Sequence, residues 1–108
     1  MKKESLWHKT VSVPAYSPLS EELRTDVAVI GGGIAGILTA FELTRRGVRC
    51  AVLEADRILS GQTGNTTAKI TSQHGLIYDK LITSLGFEHA RAYAAANEKA
   101  VSDYGRLV

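Results

Sequence analysis

Four consecutive apolar residues, Val27-Ala28-Val29-Ile30, follow a lead-in with no regular alternation of apolar and polar positions. A short unbroken apolar run rich in β-branched residues predicts a strand buried on both faces, as in a parallel sheet. After three glycines, Ile34, Ile37, Leu38 and Phe41 fall at i, i+3, i+4 and i+7, the spacing of one helix face. Arg45 and Arg46 close that helix where positive charge suits its dipole, and Gly47 supplies the stop. Cys50-Ala51-Val52-Leu53 predicts a second strand. Strand, helix and strand in this order form a βαβ unit, so the expected class is α/β with a parallel sheet.

The flanks are less regular. Residues 1–25 carry both prolines, Pro14 and Pro18, and read as an extended lead-in with a turn at Ser20-Glu21-Glu22-Leu23. It is either a mobile arm or a segment that Leu6 and Trp7 anchor to a neighbouring surface. Leu59 to Ser72, "LSGQTGNTTAKITS", reads as a loop with room for a short strand at Lys69-Ile70-Thr71. Leu76 to Leu85 predicts a short helix ended by Gly86, and a longer helix follows from Phe87. In the latter Phe87, Ala90, Ala94, Val101, Tyr104 and Val108 lie near one stripe, with Asn97 as its gap. No stop signal precedes Val108, so the chain is expected to end inside this element.

Composition narrows the classes. With 108 residues, 44% of them hydrophobic and 22% charged, the chain is ordinary globular material of one-domain size. The expected division is a lead-in at 1–25 and one nucleotide-binding segment at 26–108. A net charge of +2, with basic residues scattered, lacks the footprint of a nucleic-acid binder. Cys50 is the only cysteine, so neither an intrachain disulfide nor a thiolate metal cluster is available, which points to a reducing, cytoplasmic setting. Met1-Lys2-Lys3 is followed by Glu4-Ser5-Leu6-Trp7-His8-Lys9, which is no export core. Val27 to Phe41 is too short and too broken by glycine to span a bilayer.

The glycines carry the chemistry. Gly31-x-Gly33-x-x-Gly36 leaves one strand and opens one helix, and Glu54 ends the next strand, 18 residues beyond Gly36. Gly31 allows the turn, Gly33 lets the backbone approach a pyrophosphate, and Gly36 lets helix and strand pack closely. Backbone N–H groups from Gly33 through Ile34 and Ala35 to Gly36 would face the phosphates, aided by a dipole term of about 0.3–1 kcal/mol. The Glu54 carboxylate would accept the adenosine ribose hydroxyls and repel a 2′-phosphate, which disfavours NADP. The loop Gly61-Gln62-Thr63-Gly64-Asn65-Thr66-Thr67 follows the ribose-binding strand and can line a flat polar cofactor with small side chains. An ordinary surface loop remains the alternative.

"DVAVIGGGIAGILTAFELTRRGVRCAVLEADRI" resembles the N-terminal FAD-binding segment of the D-amino-acid-oxidase-like flavoprotein oxidoreductases. The lead-in "SLWHKTVSVPAYSPL" resembles the aromatic-containing starts of that family's members. The resemblance implies a Rossmann-like domain holding FAD, with the family's glycines at Gly31, Gly33 and Gly36, its ribose-binding acid at Glu54, a following basic residue at Arg57 and its next loop at Gly61 to Gly64. With the amides of Ile34 and Ala35, Ala55 beside Glu54, and Thr63, Gly64, Thr66 and Thr67 of the loop, these are the expected cofactor contacts. Asn65 stands where many members have Arg. "GNTTAKITSQHGLIYDKL" resembles a bacterial branch whose longer members end in a Rieske [2Fe–2S] domain. Because the family's domain is completed by later strands, the chain is expected to be a fragment that either retains apolar exposed faces or self-associates.

The implied activity is oxidation of an amine or amino acid by hydride transfer from a C–N carbon to FAD. An NAD-dependent dehydrogenase and a non-catalytic nucleotide-binding module are the alternatives. None of His8, His74 and His89 has metal-ligand spacing with Cys50 or with one another. His8 and His89 fit a solvated surface, whereas His74, beside Gly75, is a candidate to approach the flavin. Cys50 fits a small core position, Lys69 fits either solvent or a phosphate, and Tyr78, Tyr93 and Tyr104 fit packing positions.

Overall fold

The structure, a computed structural model, describes residues 5–107. These fall into two compact units, residues 5–67 and 68–107. In the first unit the elements are α1 (Leu6–Thr10), β1 (Val27–Ile30), α2 (Ile34–Arg45), β2 (Cys50–Leu53) and a 3-10 turn (Thr63–Asn65). The strands pair in parallel, with Val27 opposite Cys50 and Ile30 opposite Leu53. Their N-terminal ends are tied by Asp26 and Arg49: Arg49 Nε and Nη2 donate to the two carboxylate oxygens at 3.2 and 3.1 Å. Thr25 Oγ1 adds a bond to the Arg49 carbonyl at 2.8 Å.

The helix α2 lies on one face of this sheet, through a different stripe from the one its large apolar residues predict. Gly36 meets Val29, and Ala40 and Thr44 meet Cys50: Cys50 Sγ lies 3.5 Å from both the Ala40 carbonyl and Thr44 Oγ1. Of the predicted stripe Ile34, Ile37 and Phe41 are exposed, and Leu38 is half-buried. Close approach of helix to strand selects small residues at the contact, so most of the bulky stripe is turned outward. The expectation that β1 is buried on both faces is likewise corrected. Val27 and Val29 are half-buried, while Ala28 and Ile30 are exposed, because α2 covers one face only. Cys50 sits half-buried on β2.

The stop at Gly47 has a mechanism. Gly47, at φ +75°, donates to the Thr44 carbonyl, and Val48 donates to the Leu43 carbonyl, both at 3.0 Å. This pair of bonds caps the last carbonyls of α2 in the glycine-dependent manner of a Schellman motif.

The lead-in departs from its extended reading. Leu6–Thr10 is a helix, N-capped by the Ser5 hydroxyl, which accepts from the Trp7 amide at 3.3 Å. Serine before an apolar pair is a capping signal that the prolines further on obscured. The turn at Ser20 to Leu23 does not become a regular element. Met1–Glu4 and Val108 lie outside the described residues.

The second unit is a helical pair, α3 (Ile77–Leu85) and α4 (Phe87–Leu107), joined at Gly86. Ala90 is buried, and Ala94, Asn97, Val101 and Tyr104 continue the stripe half-buried, whereas Phe87 turns out to solvent. Tyr78 and Tyr93 pack edge to face at 6.2 Å, and the Tyr78 hydroxyl donates to the Ser72 carbonyl at 2.5 Å. Both tyrosines are therefore packing residues. On α4 the Asp103 carboxyl is held below its usual range by the Lys99 ammonium and then by Arg106. The short strand at Lys69–Thr71 does not form, since no partner strand is offered within this unit. No helix among the described residues is long and apolar enough to cross a membrane.

Candidate functional site

The turn from β1 into α2 is built by three demands on backbone space, at Gly31, Gly36 and Gly32. Gly31 leaves the strand at φ +101°, a conformation that a Cβ disfavours, and its amide bonds to the Leu53 carbonyl at 2.8 Å. A Cβ on Gly36 would stand 1.9 Å from the Gly31 carbonyl oxygen, so close helix–strand packing requires glycine there. Gly32 is buried, and a Cβ on it would stand 2.7 Å from Ile58 Cγ2. Gly33 differs from these. Its φ of −81° is open to any residue, and a Cβ would meet only Thr63 Oγ1, at 3.3 Å.

Gly32 is a residue whose role the glycine spacing does not announce. Its amide donates to Glu54 Oε2 at 2.7 Å, and its carbonyl accepts from the Leu59 amide at 2.9 Å. The signal in the sequence was the unbroken triplet, one glycine more than the fingerprint needs. The Asp56 amide donates to Glu54 Oε1 at 3.1 Å. These amides, Gly32 first and Asp56 second, hold the Glu54 carboxyl below the ordinary carboxylate range. Glu54 thus stands ionised and aimed by two fixed donors, with its side chain exposed at the end of β2. Each carboxylate oxygen retains acceptor capacity for a hydroxyl donor.

At the start of α2 the Ile34 amide donates to Thr63 Oγ1 at 3.0 Å. The threonine replaces the side-chain cap that Gly33 cannot offer. The amides of Gly33, Ala35 and Gly36 have no hydrogen-bond partner among the described residues. Three unpaired donors at a helix N-terminus form a place suited to an anion. A hydroxyl that accepts from Ile34 still has its own proton to donate.

The loop after β2 is arranged around Gly64. Gly64 is buried, and a Cβ there would stand 2.3 Å from the Leu59 carbonyl and 2.6 Å from His8 Nε2. The glycine serves loop packing directly. Leu59 itself is in the left-handed region, at φ 61°. For a leucine this costs on the order of 1–2 kcal/mol, held here by its bond to Gly32. Ala55, Arg57, Thr66 and Thr67 are exposed; the Arg57 carbonyl accepts from Ser60 Oγ at 2.8 Å, and Asn65 Nδ2 donates to the Gly61 carbonyl at 2.9 Å. Lys69 and His74 are exposed in the second unit, and His89 is exposed on α4. No group of three or more His, Cys, Asp or Glu among the described residues could hold a metal ion.

The sequence is similar to those of several known proteins. A family model described as DAO, FAD dependent oxidoreductase, matches residues 26–106. YhfW of Bacillus subtilis, whose name describes a Rieske 2Fe-2S iron-sulfur protein, is 48% identical over 101 residues, 94% of this chain and 20% of YhfW. Gamma-glutamylputrescine oxidoreductase of Escherichia coli is 34% identical over 83 residues, 74% of this chain and 20% of that protein. The bifunctional tRNA-modification protein MnmC of Psychrobacter cryohalolentis is 31% identical over 113 residues, all of this chain and 16% of MnmC. The chain spans about a fifth or less of the length of these curated relatives. No solved structure matches it. From Asp26 to Arg106, the chain belongs to the DAO family of FAD-dependent oxidoreductases.

Proposed function

We propose that this chain is the dinucleotide-gripping segment of an enzyme that oxidises an amine or amino acid at a C–N bond. The observation that carries the reading is Gly33, a glycine that its backbone angle does not demand and whose Cβ would meet only the Thr63 hydroxyl, at 3.3 Å, set beside the unpaired amides of Ala35 and Gly36. Bare backbone at that point suits the approach of a diphosphate. Gly33, Ala35 and Gly36 would bind the pyrophosphate of FAD, Thr63 would add a hydroxyl, and Glu54 would hold the adenosine ribose. When bound, the flavin supplies the electron sink for hydride removal. The residues of this chain bind and orient; none of them is assigned to the removal or delivery of a proton.

The substrate class rests on likeness to gamma-glutamylputrescine oxidoreductase, whose name specifies an amine-bearing substrate. Likeness to YhfW adds a Rieske centre in the full-length protein as a candidate acceptor of electrons from the flavin. The test is to purify the full-length protein, release its cofactor by denaturation and identify it by absorbance and mass. FAD is expected, with flavin bleaching when an amine or amino acid is added without oxygen. A colourless protein that takes up NAD instead would overturn the reading in favour of a dehydrogenase.

A further inference from the structure

We propose that α1 is a latch on the loop that caps α2, with Trp7 as the positioning residue. This rests on the cofactor reading above. Trp7 Nε1 donates to the Thr66 carbonyl at 2.8 Å, across 59 residues of sequence. The His8 ring lies against Gly64, so close that a Cβ on Gly64 would stand 2.6 and 2.8 Å from two of its atoms. The two contacts fall on either side of Asn65 and fasten the last part of the loop to α1. The first part of the same loop carries Thr63, whose hydroxyl accepts from the first amide of α2.

The energetics favour a mutual device. A five-residue helix is far below the length at which helices persist in water, so α1 owes its order to docking. The loop has no sheet partner and contains a leucine at positive φ at its start, so it too needs an external constraint. The indole bond and the imidazole contact satisfy both needs. Fixing Thr66 limits the positions open to Thr63, three residues earlier, and so sets how the Thr63 hydroxyl is presented beside the unpaired amides. Among the described residues Trp7 hydrogen-bonds to neither those amides nor Glu54; it acts through the loop.

The test uses Trp7→Phe, which keeps an aromatic ring and removes the N–H donor, alongside His8→Ala in the full-length protein. Amide hydrogen exchange is read with and without added FAD, and FAD affinity is titrated. We expect exchange of the Thr63–Thr67 amides to rise in Trp7→Phe while β1 and β2 amides keep wild-type protection. FAD affinity should fall by roughly 2- to 12-fold, the effect of one lost hydrogen bond, with a changed flavin spectrum. Exchange that is unchanged, or that rises equally through the strands, would overturn the latch. Loop exchange that rises while FAD affinity stays at the wild-type value would also overturn it, because the loop's link to the cofactor would be absent. If the wild-type protein takes up no FAD, selective loop exchange still supports the latch, and it is the cofactor reading that fails.

Discussion

At the scale of single residues, glycines that look alike in the sequence do different work. Gly36 is required by a carbonyl that would lie 1.9 Å from its Cβ, and Gly31 by a φ of +101°. Gly33 is required by neither, and this asymmetry makes it the sharpest probe of function. Gly33→Ala should change folding stability by less than about 1 kcal/mol, since one threonine hydroxyl can shift slightly. The same substitution should weaken FAD binding by about 1–3 kcal/mol, the usual cost of overpacking a close contact. Thermal melting and flavin titration of one variant separate the two effects. Glu54 makes a prediction in pH. Its folded-state pKa is lowered by the Gly32 and Asp56 amides, so its contribution to stability is present above the ordinary carboxylate range and lost as pH falls through the folded value. Acid unfolding of Glu54→Gln should lack this part of the wild-type pH dependence, as checked by melting temperature across an acidic series.

At the scale of elements, periodicity predicted the existence of β1, α2, β2, α3 and α4, and their order. It was less informative about facing. Large apolar residues at i, i+3, i+4 and i+7 mark a helix, but contact with a sheet at short range goes to the smallest residues, Gly36 and Ala40. The apolar count is blind to that choice, because glycine contributes no hydrophobic signal. The same blindness hid Gly32, whose role lies entirely in its backbone N–H and C=O. α1 was hidden for another reason: five residues are too few for a period to show, and the bond from Trp7 to Thr66 is non-local. Glu54 and Thr63 stand out in the sequence because spacing records position after a strand, and the structure brings both to the β1–α2 turn, Glu54 to the Gly32 amide and Thr63 to the Ile34 amide. Gly36→Ala should cost at least about 3 kcal/mol, since backbone on both sides must move. Arg49→Ala, at the exposed pair with Asp26, should cost at most about 1 kcal/mol, and less in high salt. Denaturant melts of the two variants check this ordering, and a larger loss at Arg49 would contradict the packing account of α2.

At the scale of the whole molecule, apolar surface is left uncovered. Ile30 is 78% exposed on the face of the sheet away from α2, and Ile34, Ile37 and Phe41 are exposed on the helix itself. A parallel sheet is normally covered on both faces, and a helix apolar around its circumference normally lies inside a larger body. Prepared by itself, the 108-residue polypeptide should therefore associate or melt with low cooperativity, as read by light scattering and thermal melting. A monodisperse, cooperatively folding monomer would contradict this. The site's geometry belongs to the first unit alone, with β1, α2, Glu54 and the Thr63 loop held by short hydrogen bonds. The central claim is that these parts grip a dinucleotide. Its most direct test is a crystal structure of the full-length protein with FAD. The account predicts the pyrophosphate against the amides of Ala35 and Gly36 and the adenosine ribose on the Glu54 carboxylate. A flavin dinucleotide bound elsewhere, touching neither the β1–α2 turn nor Glu54, would contradict it.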